Sequence, residues 1–219
     1  MSQAIGQILG EAVGVAISPV PVAALILMLF SASAARNGVA FLIGWLIGLT
    51  AVCLVAIALG IGSGTDSDSG SIAKVLIGLL FLLLGLRQWR RRPRDGEDAE
   101  MPAWIATVDR LSAIKALGLG LLLTAANPKN AGLAIAAAAS ISSQNLESGE
   151  QAVTVLAFVL LSSITVILPV AAYLLARERS RSTLDALKVW LIRNNSTVMT
   201  VLLILIGAKV LGDGLAGLG

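Results

Sequence analysis

Histidine is absent from the sequence, cysteine occurs once, and charged side chains are scarce. The absence of histidine excludes metal binding and acid–base catalysis through imidazole. Cys53 cannot form a disulfide within the chain, and its position inside an apolar run predicts a packed thiol. Charged residues make up only 13% of the chain, whereas soluble domains contain about 25%. An ordinary soluble domain is therefore excluded.

Hydrophobic residues account for 57% of the 219 residues and form long runs. A helix needs about 20 apolar residues to cross a bilayer, and several runs reach this length without the alternation of a barrel strand. The sequence therefore predicts an all-α integral membrane protein. Six transmembrane helices are predicted, over residues 5–30, 38–61, 72–88, 112–142, 151–176 and 196–215.

The first apolar run is followed by small residues at 31–35, which gives it a superficial likeness to a signal peptide with a cleavage site. No positively charged segment precedes the run, however, and Glu11 and two prolines interrupt it. We therefore expect this run to be a transmembrane helix of the mature protein.

Basic residues cluster in and beside the loops that follow spans one, three and five. They are Arg36, then Arg87, Arg90, Arg91, Arg92, Arg94, Arg110 and Lys115, and then Arg177, Arg179, Arg181, Lys188 and Arg193. Because positively charged loops stay in the cytoplasm, we expect a multi-pass protein of the cytoplasmic membrane with both termini outside. This topology accounts for the net charge of +3, and no nucleic-acid-binding motif accompanies it, so we expect no nucleic-acid partner.

Two loop segments have the pattern of helices that lie on a membrane surface. Residues 91–111 are interpreted as a charged linker followed by a short interfacial helix that starts near Pro102. Residues 182–191 carry an apolar stripe beside basic side chains and predict a second such helix. We expect both on the inner leaflet, where amphipathic packing is favoured over recognition of a specific lipid headgroup.

Span four contains the sequence Thr-Ala-Ala-Asn-Pro-Lys-Asn at residues 124–130. It puts a helix breaker, two amides and an ammonium where polar groups need internal partners. Glu11 and Lys129 are the ionisable residues that lie well inside predicted spans. We expect each to face the bundle interior with a partner, and pairing with each other is one possibility. A functional role is favoured for Lys129, either binding an anionic group or exchanging a proton during transport, whereas a site role and a place at the outer interface stay equal alternatives for Glu11.

The two halves of the chain share a pattern. Span one has Ser18-Pro-Val-Pro21 and span four has Asn127-Pro128, each with a polar residue before a proline in an apolar run. Spans three and six both contain glycine, one apolar residue and then a base. Because three spans per half is an odd number, the second half must be inverted. We predict one membrane domain, 1–219, with repeat one at 1–90, the linker and interfacial helix at 91–111, and repeat two at 112–219.

The prolines predict helix breaks in spans one and four, because proline removes a backbone donor and pushes the preceding residue out of helical conformation. Secondary transporters place their substrate between such paired breaks, near the membrane midplane. The candidate substrate-binding residues are Glu11, Ser18, Pro19, Pro21, Asn127, Pro128, Lys129 and Asn130. The alternative, for the prolines alone, is a pair of kinks satisfied by neighbouring hydroxyls.

Small and hydroxyl side chains mark two further helix faces. Gly44 and Gly48 are four residues apart in span two and predict close helix approach, within the subunit rather than between subunits. Ser162, Ser163 and Thr165 in span five are candidates for a polar path, although hydroxyls more commonly bond back to their own helix.

These residues together resemble a known family. The segment 11–21, with its Ser-Pro-Val-Pro, the Asn-Pro-Lys-Asn at 127–130 and the basic loop after span three are similar to the GAP family. These are the peptidoglycolipid-addressing, or Sap-like, membrane proteins of actinobacteria, within the lysine-exporter (LysE) superfamily. The resemblance covers essentially the whole chain. It implies a homodimeric six-helix exporter with two inverted three-helix halves, linked in mycobacteria to moving glycolipids toward the cell envelope.

The residues and the resemblance together predict a transporter, an exporter or flippase that moves a lipid, glycolipid or amphiphilic anionic metabolite, with membrane lipids as partners. Two alternatives stay open, namely export of an amino acid or small polar solute and a non-transporting scaffold for envelope-lipid assembly. The lack of a His or Cys cluster argues against a metal-cation exporter. No pair of nucleophile and base and no nucleotide-binding loop is visible, so we expect neither an enzyme nor a cofactor.

Overall fold

The computed structural model describes residues 2–60, 68–90, 111–144, 146–176 and 181–217, and within these ranges all regular structure is helical. The helices are α1 (Ser2–Ala16), α2 (Pro19–Leu29), α3 (Ala34–Ala58), α4 (Asp68–Arg90), α5 (Ala113–Ala125), α6 (Pro128–Ser142), α7 (Ser148–Ser162), α8 (Ile164–Ala176) and α9 (Arg181–Ala216). The prediction of an all-α protein is confirmed. The predicted linker and the interfacial helix near Pro102 lie outside the described residues.

Several of these helices have the length and composition of membrane spans. Helix α3 and the Ser196–Ala216 part of α9 each qualify alone. Two bent pairs qualify when each is taken as one broken span, namely α1 with α2, bent by 55°, and α7 with α8, bent by 63°. Large apolar side chains such as Leu54, Val55, Leu83 and Leu175 are exposed on the outer surface. The described part of the chain is therefore a membrane-embedded helical bundle with two to four candidate spans.

Helix α2 lies at the centre of the bundle. Nine of its eleven residues are buried, and it contacts α3, α8 and α9. A helix that is apolar on all sides needs such surroundings, because every face must be covered by other apolar groups. Helix α3 contributes the stacked pair Phe41 and Trp45, both fully buried, and Cys53, whose Sγ lies 3.6 Å from the carbonyl oxygen of Ala134. The prediction that Cys53 is a packed thiol is confirmed.

Glycines bring the backbones of α3 and α5 into contact. A Cβ atom on Gly44 would lie 2.0 Å from the carbonyl oxygen of Leu117, and one on Gly120 would lie 2.2 Å from that of Phe41. A Cβ on Gly48 would lie 1.8 Å from Thr124 Oγ1. The Gly44 and Gly48 pair therefore packs within the subunit, which confirms the sequence prediction.

Helices α4 and α9 pack in the same way. A Cβ on Gly207 would lie 2.9 Å from the backbone nitrogen of Leu82, and one on Gly78 would lie 2.6 Å from that of Leu211. The prediction of a separate surface helix over residues 182–191 is wrong, because these residues are the first turns of α9. No proline or glycine lies between residues 181 and 206 to end the helix there.

The contact between α3 and α5 predicts different effects for two glycines of the same helix. Gly120→Ala should lower the free energy of unfolding by about 1–3 kcal/mol, because the added methyl group meets the backbone of α3. Gly118→Ala is the matched control, since a Cβ atom on Gly118 would have no atom within 4 Å, and should stay within about 1 kcal/mol of the unmodified protein. Thermal melting of detergent-solubilised protein measures both. Equal melting temperatures for the two variants would contradict the close approach.

Candidate substrate site at the helix breaks

The first break separates α1 from α2. Helix α1 ends at Ala16 and α2 begins at Pro19, with Ser18 in extended conformation at φ −118° and ψ 92°. The break lies where the Ser-Pro sequence predicts it, because proline disfavours helical conformation in the residue before it.

Three backbone carbonyls are left without a backbone donor at this break. Within a helix, the carbonyls of Val15 and Ile17 would accept from the N–H groups of residues 19 and 21, but both of those are proline and have none. The N–H of Ser18 donates to the Ala16 carbonyl at 2.9 Å and not to that of Gly14. The carbonyls of Gly14, Val15 and Ile17 therefore need other donors, since an unpaired polar group is costly in an apolar interior.

Side chains of α6 and of the break itself supply these donors. Lys129 Nζ donates to the carbonyl oxygens of Gly14 at 2.7 Å and Ile17 at 3.0 Å, and to Ser18 Oγ at 2.7 Å. We call these three oxygens the carbonyl cage. Lys129 is 3% exposed, and the cage uses all three N–H donors of an ammonium. In the same break, Ser18 Oγ lies 2.7 Å from the carbonyl oxygen of Val15, and Thr165 Oγ1 donates to that of Ala16 at 2.6 Å.

The second break separates α5 from α6 at residues 126–127. Asn127 caps α6, because its Oδ1 accepts from the backbone N–H of Lys129 at 3.0 Å. Asn130 Nδ2 donates to the carbonyl oxygen of Leu123 at 2.9 Å, a carbonyl whose helical partner would be the N–H of Asn127. Asn130 Oδ1 lies 2.9 Å from Ser18 Oγ. The two breaks are therefore joined directly.

The structure sorts the residues predicted for the site into three groups. Ser18, Lys129 and Asn130 contact one another across the two breaks. Pro19, Pro21 and Pro128 each stand in the first turn of the helix that follows a break, and Asn127 caps α6 without contacting span one in any described hydrogen bond. Glu11 lies apart from them.

Glu11 forms an ion pair with Lys209 of α9, through its Oε1 and the lysine Nζ. The possibility that Glu11 pairs with Lys129 is therefore wrong. Lys129 has its donors occupied by the carbonyl cage, whose first member, Gly14, lies three residues beyond Glu11, about 5 Å farther along the axis of α1. Glu11 is buried, and its Oε2 has no partner among the described residues.

A third break, at Ser163 between α7 and α8, is not predicted from the sequence. The nearby proline, Pro169, lies inside α8 rather than at the break, so no proline marks this break in the sequence. One hydroxyl of this span bonds back to its own helix and another bonds to α1, and the polar path stays a prediction. Ser163 Oγ donates to the carbonyl of Val159 in its own helix at 2.6 Å, whereas Thr165 reaches across to Ala16.

Helix dipoles give the site its electrostatics. The C-terminal end of α1 has a partial negative charge, and the Lys129 ammonium at this end is stabilised by it. The N-terminal ends of α2 and α6 have partial positive charges and meet at the Ser18 to Asn130 contact. The two positive helix ends favour negative charge in a ligand, whereas the C-terminal end of α1 favours a cation.

A cavity of about 460 Å³ lies at the other end of α2, lined by Ala32, Ser33, Ala34, Ala35, Arg36, Tyr173 and Leu174. Arg36 Nη2 donates to Ser33 Oγ at 3.2 Å and is exposed.

Within the described ranges, no group of three or more His, Cys, Asp or Glu side chains could hold a metal ion.

Thr165 offers a test of the contact between spans one and five. Thr165→Val should lower the free energy of unfolding by about 0.5–1.5 kcal/mol, because a hydrogen bond between spans is lost. Thr154→Val is the matched control, since Thr154 Oγ1 donates at 2.7 Å to the Glu150 carbonyl of its own helix. Thr154→Val should lower the free energy of unfolding by less than Thr165→Val does. Chemical denaturation of the two variants in detergent measures the difference, and a larger loss for Thr154→Val would count against the cross-span bond.

Comparison with known proteins places the chain in a family. The family model described as Sap, sulfolipid-1-addressing protein, matches residues 8–216. No curated protein and no solved structure matches the chain. The matched range includes all three helix breaks and every residue predicted for the site.

Proposed function

The chain belongs to the Sap, sulfolipid-1-addressing protein family, and from this membership we propose that it is an exporter or flippase for an anionic lipid, glycolipid or related amphiphile. A sulfolipid is an amphiphile with a negatively charged headgroup, and the family description names one. The observation that carries the proposal is a buried ammonium beside two converging helix N-termini, at a break inside an apolar bundle. Buried positive charge of this kind is matched to a negatively charged group.

The transmembrane arrangement proposed is six spans in two inverted halves, α1/α2, α3 and α4 against α5/α6, α7/α8 and α9. The packing supports it. Span two contacts span four through Gly44 and Leu117, and span five contacts span one through Thr165 and Ala16. Spans three and six contact each other at Gly207 and Leu82. Exchanging the two halves carries this set of span pairs onto itself, as a two-fold relation requires.

The proposed mechanism begins with Lys129 exchanging a partner. Its three N–H donors are all used by the carbonyl cage, so an oxygen of an anionic headgroup can bind only by replacing a cage oxygen. The apolar part of the substrate then remains beside the lipid-facing surface, as a flippase substrate needs. Arg36 and the cavity at the far end of α2 supply a positively charged approach from the side that we propose to be cytoplasmic.

The remaining parts of the proposal follow from charge placement and from the family resemblance. We place the protein in the cytoplasmic membrane with both termini outside, because the basic loops then face the cytoplasm. The same proposal includes a homodimer and membrane lipids as partners. It includes no catalytic role and no cofactor. The proposed mechanism does not use ATP hydrolysis.

Lipid movement in reconstituted vesicles tests the function. Fluorescent phosphatidylglycerol, which is anionic, and fluorescent phosphatidylcholine, which is zwitterionic, serve as probes, and bleaching by external dithionite measures their movement between leaflets. The unmodified protein should move the anionic probe faster. Lys129→Met should reduce that rate about tenfold or more, because a hydrogen bond to a charged group contributes about 1.5–3 kcal/mol and 1.4 kcal/mol corresponds to tenfold.

The matched control is Lys115→Met, which removes an exposed lysine of α5 and should leave the rate unchanged. Folding of each variant is checked by its melting temperature. Normal movement of the anionic probe by folded Lys129→Met would remove the proposed site. Movement of no lipid by the unmodified protein would favour the scaffold, and counterflow of a radiolabelled amino acid under the same conditions would favour the small-solute alternative.

A further inference from the structure

We propose that the carbonyl cage is a binding site for a monovalent cation, which the ammonium of Lys129 occupies in this structure. The cage oxygens of Gly14, Ile17 and Ser18 lie 2.7, 3.0 and 2.7 Å from Lys129 Nζ. All three belong to the break at the C-terminal end of α1. In broken-helix transporters, unwound carbonyls and half-helix C-termini are the groups that coordinate monovalent ions.

The cage has the chemistry of a monovalent site. Its ligands are two backbone carbonyls and a hydroxyl, all neutral, and the partial negative charge of the α1 C-terminus adds to them. Divalent cations prefer carboxylate ligands, and the acidic residue nearest in α1, Glu11, pairs with Lys209. A single positive charge with hydrogen-bond donors, or a small alkali ion, is therefore the class of ligand that the cage accepts.

The prolines explain why the cage needs a cation. The Ile17 carbonyl has no backbone donor in α2, because residue 21 is proline, and the Ser18 N–H is turned away from the Gly14 carbonyl. If Lys129 leaves to meet an anionic headgroup, these oxygens become buried acceptors without donors, which is unfavourable. A monovalent cation that enters the cage at that moment removes the penalty. It also keeps the local charge constant.

The consequence for transport is that headgroup binding and cation binding become coupled at one break. This step rests on the proposed function, because it assumes that Lys129 contacts an anionic headgroup. The cation affinity of the cage does not rest on it. A test on the protein without any lipid substrate therefore separates the two, since cation binding and lipid movement can succeed or fail independently.

Rescue by cations matched in size to the missing side chain tests the site. Lys129→Met ends one atom short of the ammonium and is flexible, so its methyl group can withdraw to admit an ion the size of ammonium. Lys129→Ala leaves space for three more carbons and the nitrogen, which is n-propylammonium. Both variants are purified in detergent with and without these chloride salts, and melting temperatures are measured with tetramethylammonium chloride, which has no N–H donor, at equal concentration as the reference.

The proposal predicts a crossed pattern. Ammonium, sodium or potassium ions should raise the melting temperature of Lys129→Met in a saturable way, and n-propylammonium should do so for Lys129→Ala but not for Lys129→Met. The unmodified protein and Lys115→Met, with the cage already filled, should not respond. Equal effects of all salts on all four proteins would overturn the proposal. So would failure of both variants to fold in the presence of their matched cations, because a filled cage restores the missing contacts.

Discussion

The contact between the Lys129 ammonium and the end of α1 is the constraint on which the site depends. Pro19 and Pro21 remove the donors that would continue α1, and the lysine of span four supplies the charge that satisfies the exposed carbonyls. The ammonium and the carbonyls each need the other, since a bare ammonium and bare carbonyls are both costly in lipid. The break in span one and the charge in span four are therefore two parts of a single structural solution.

The surrounding bundle holds this contact in place. Asn130 ties α6 to Ser18, and Thr165 brings the third break to the Ala16 carbonyl. Glycines on α3 and α5 let their backbones touch, which positions span four beside the core. Helix α2 can then be fully surrounded, so the half-helix that leaves the break is the central element of the bundle.

Local chemistry made part of this arrangement predictable from sequence. Proline acts on its own backbone and on its neighbour, so the breaks before Pro19 and Pro128 follow from the residues alone. The partner of each charge depends on which helices pack together. The pairing of Glu11 with Lys209 and the contact of Lys129 with the end of α1 could therefore not be predicted from the sequence. The break at Ser163 has no proline to predict it. The separate helix expected at residues 182–191 is continuous with the rest of α9, because no helix-breaking residue intervenes.

A double-mutant cycle between Lys129→Met and Ser18→Ala tests the central claim most directly. Both side chains belong to one hydrogen-bonded unit, so the free energies of unfolding of the two single variants and the double variant, measured in detergent, should be non-additive. A coupling energy above about 0.5 kcal/mol is the predicted result, since independent sites add to within about 0.3–0.5 kcal/mol. Additive losses would contradict the account, because Lys129 would then satisfy the break without Ser18.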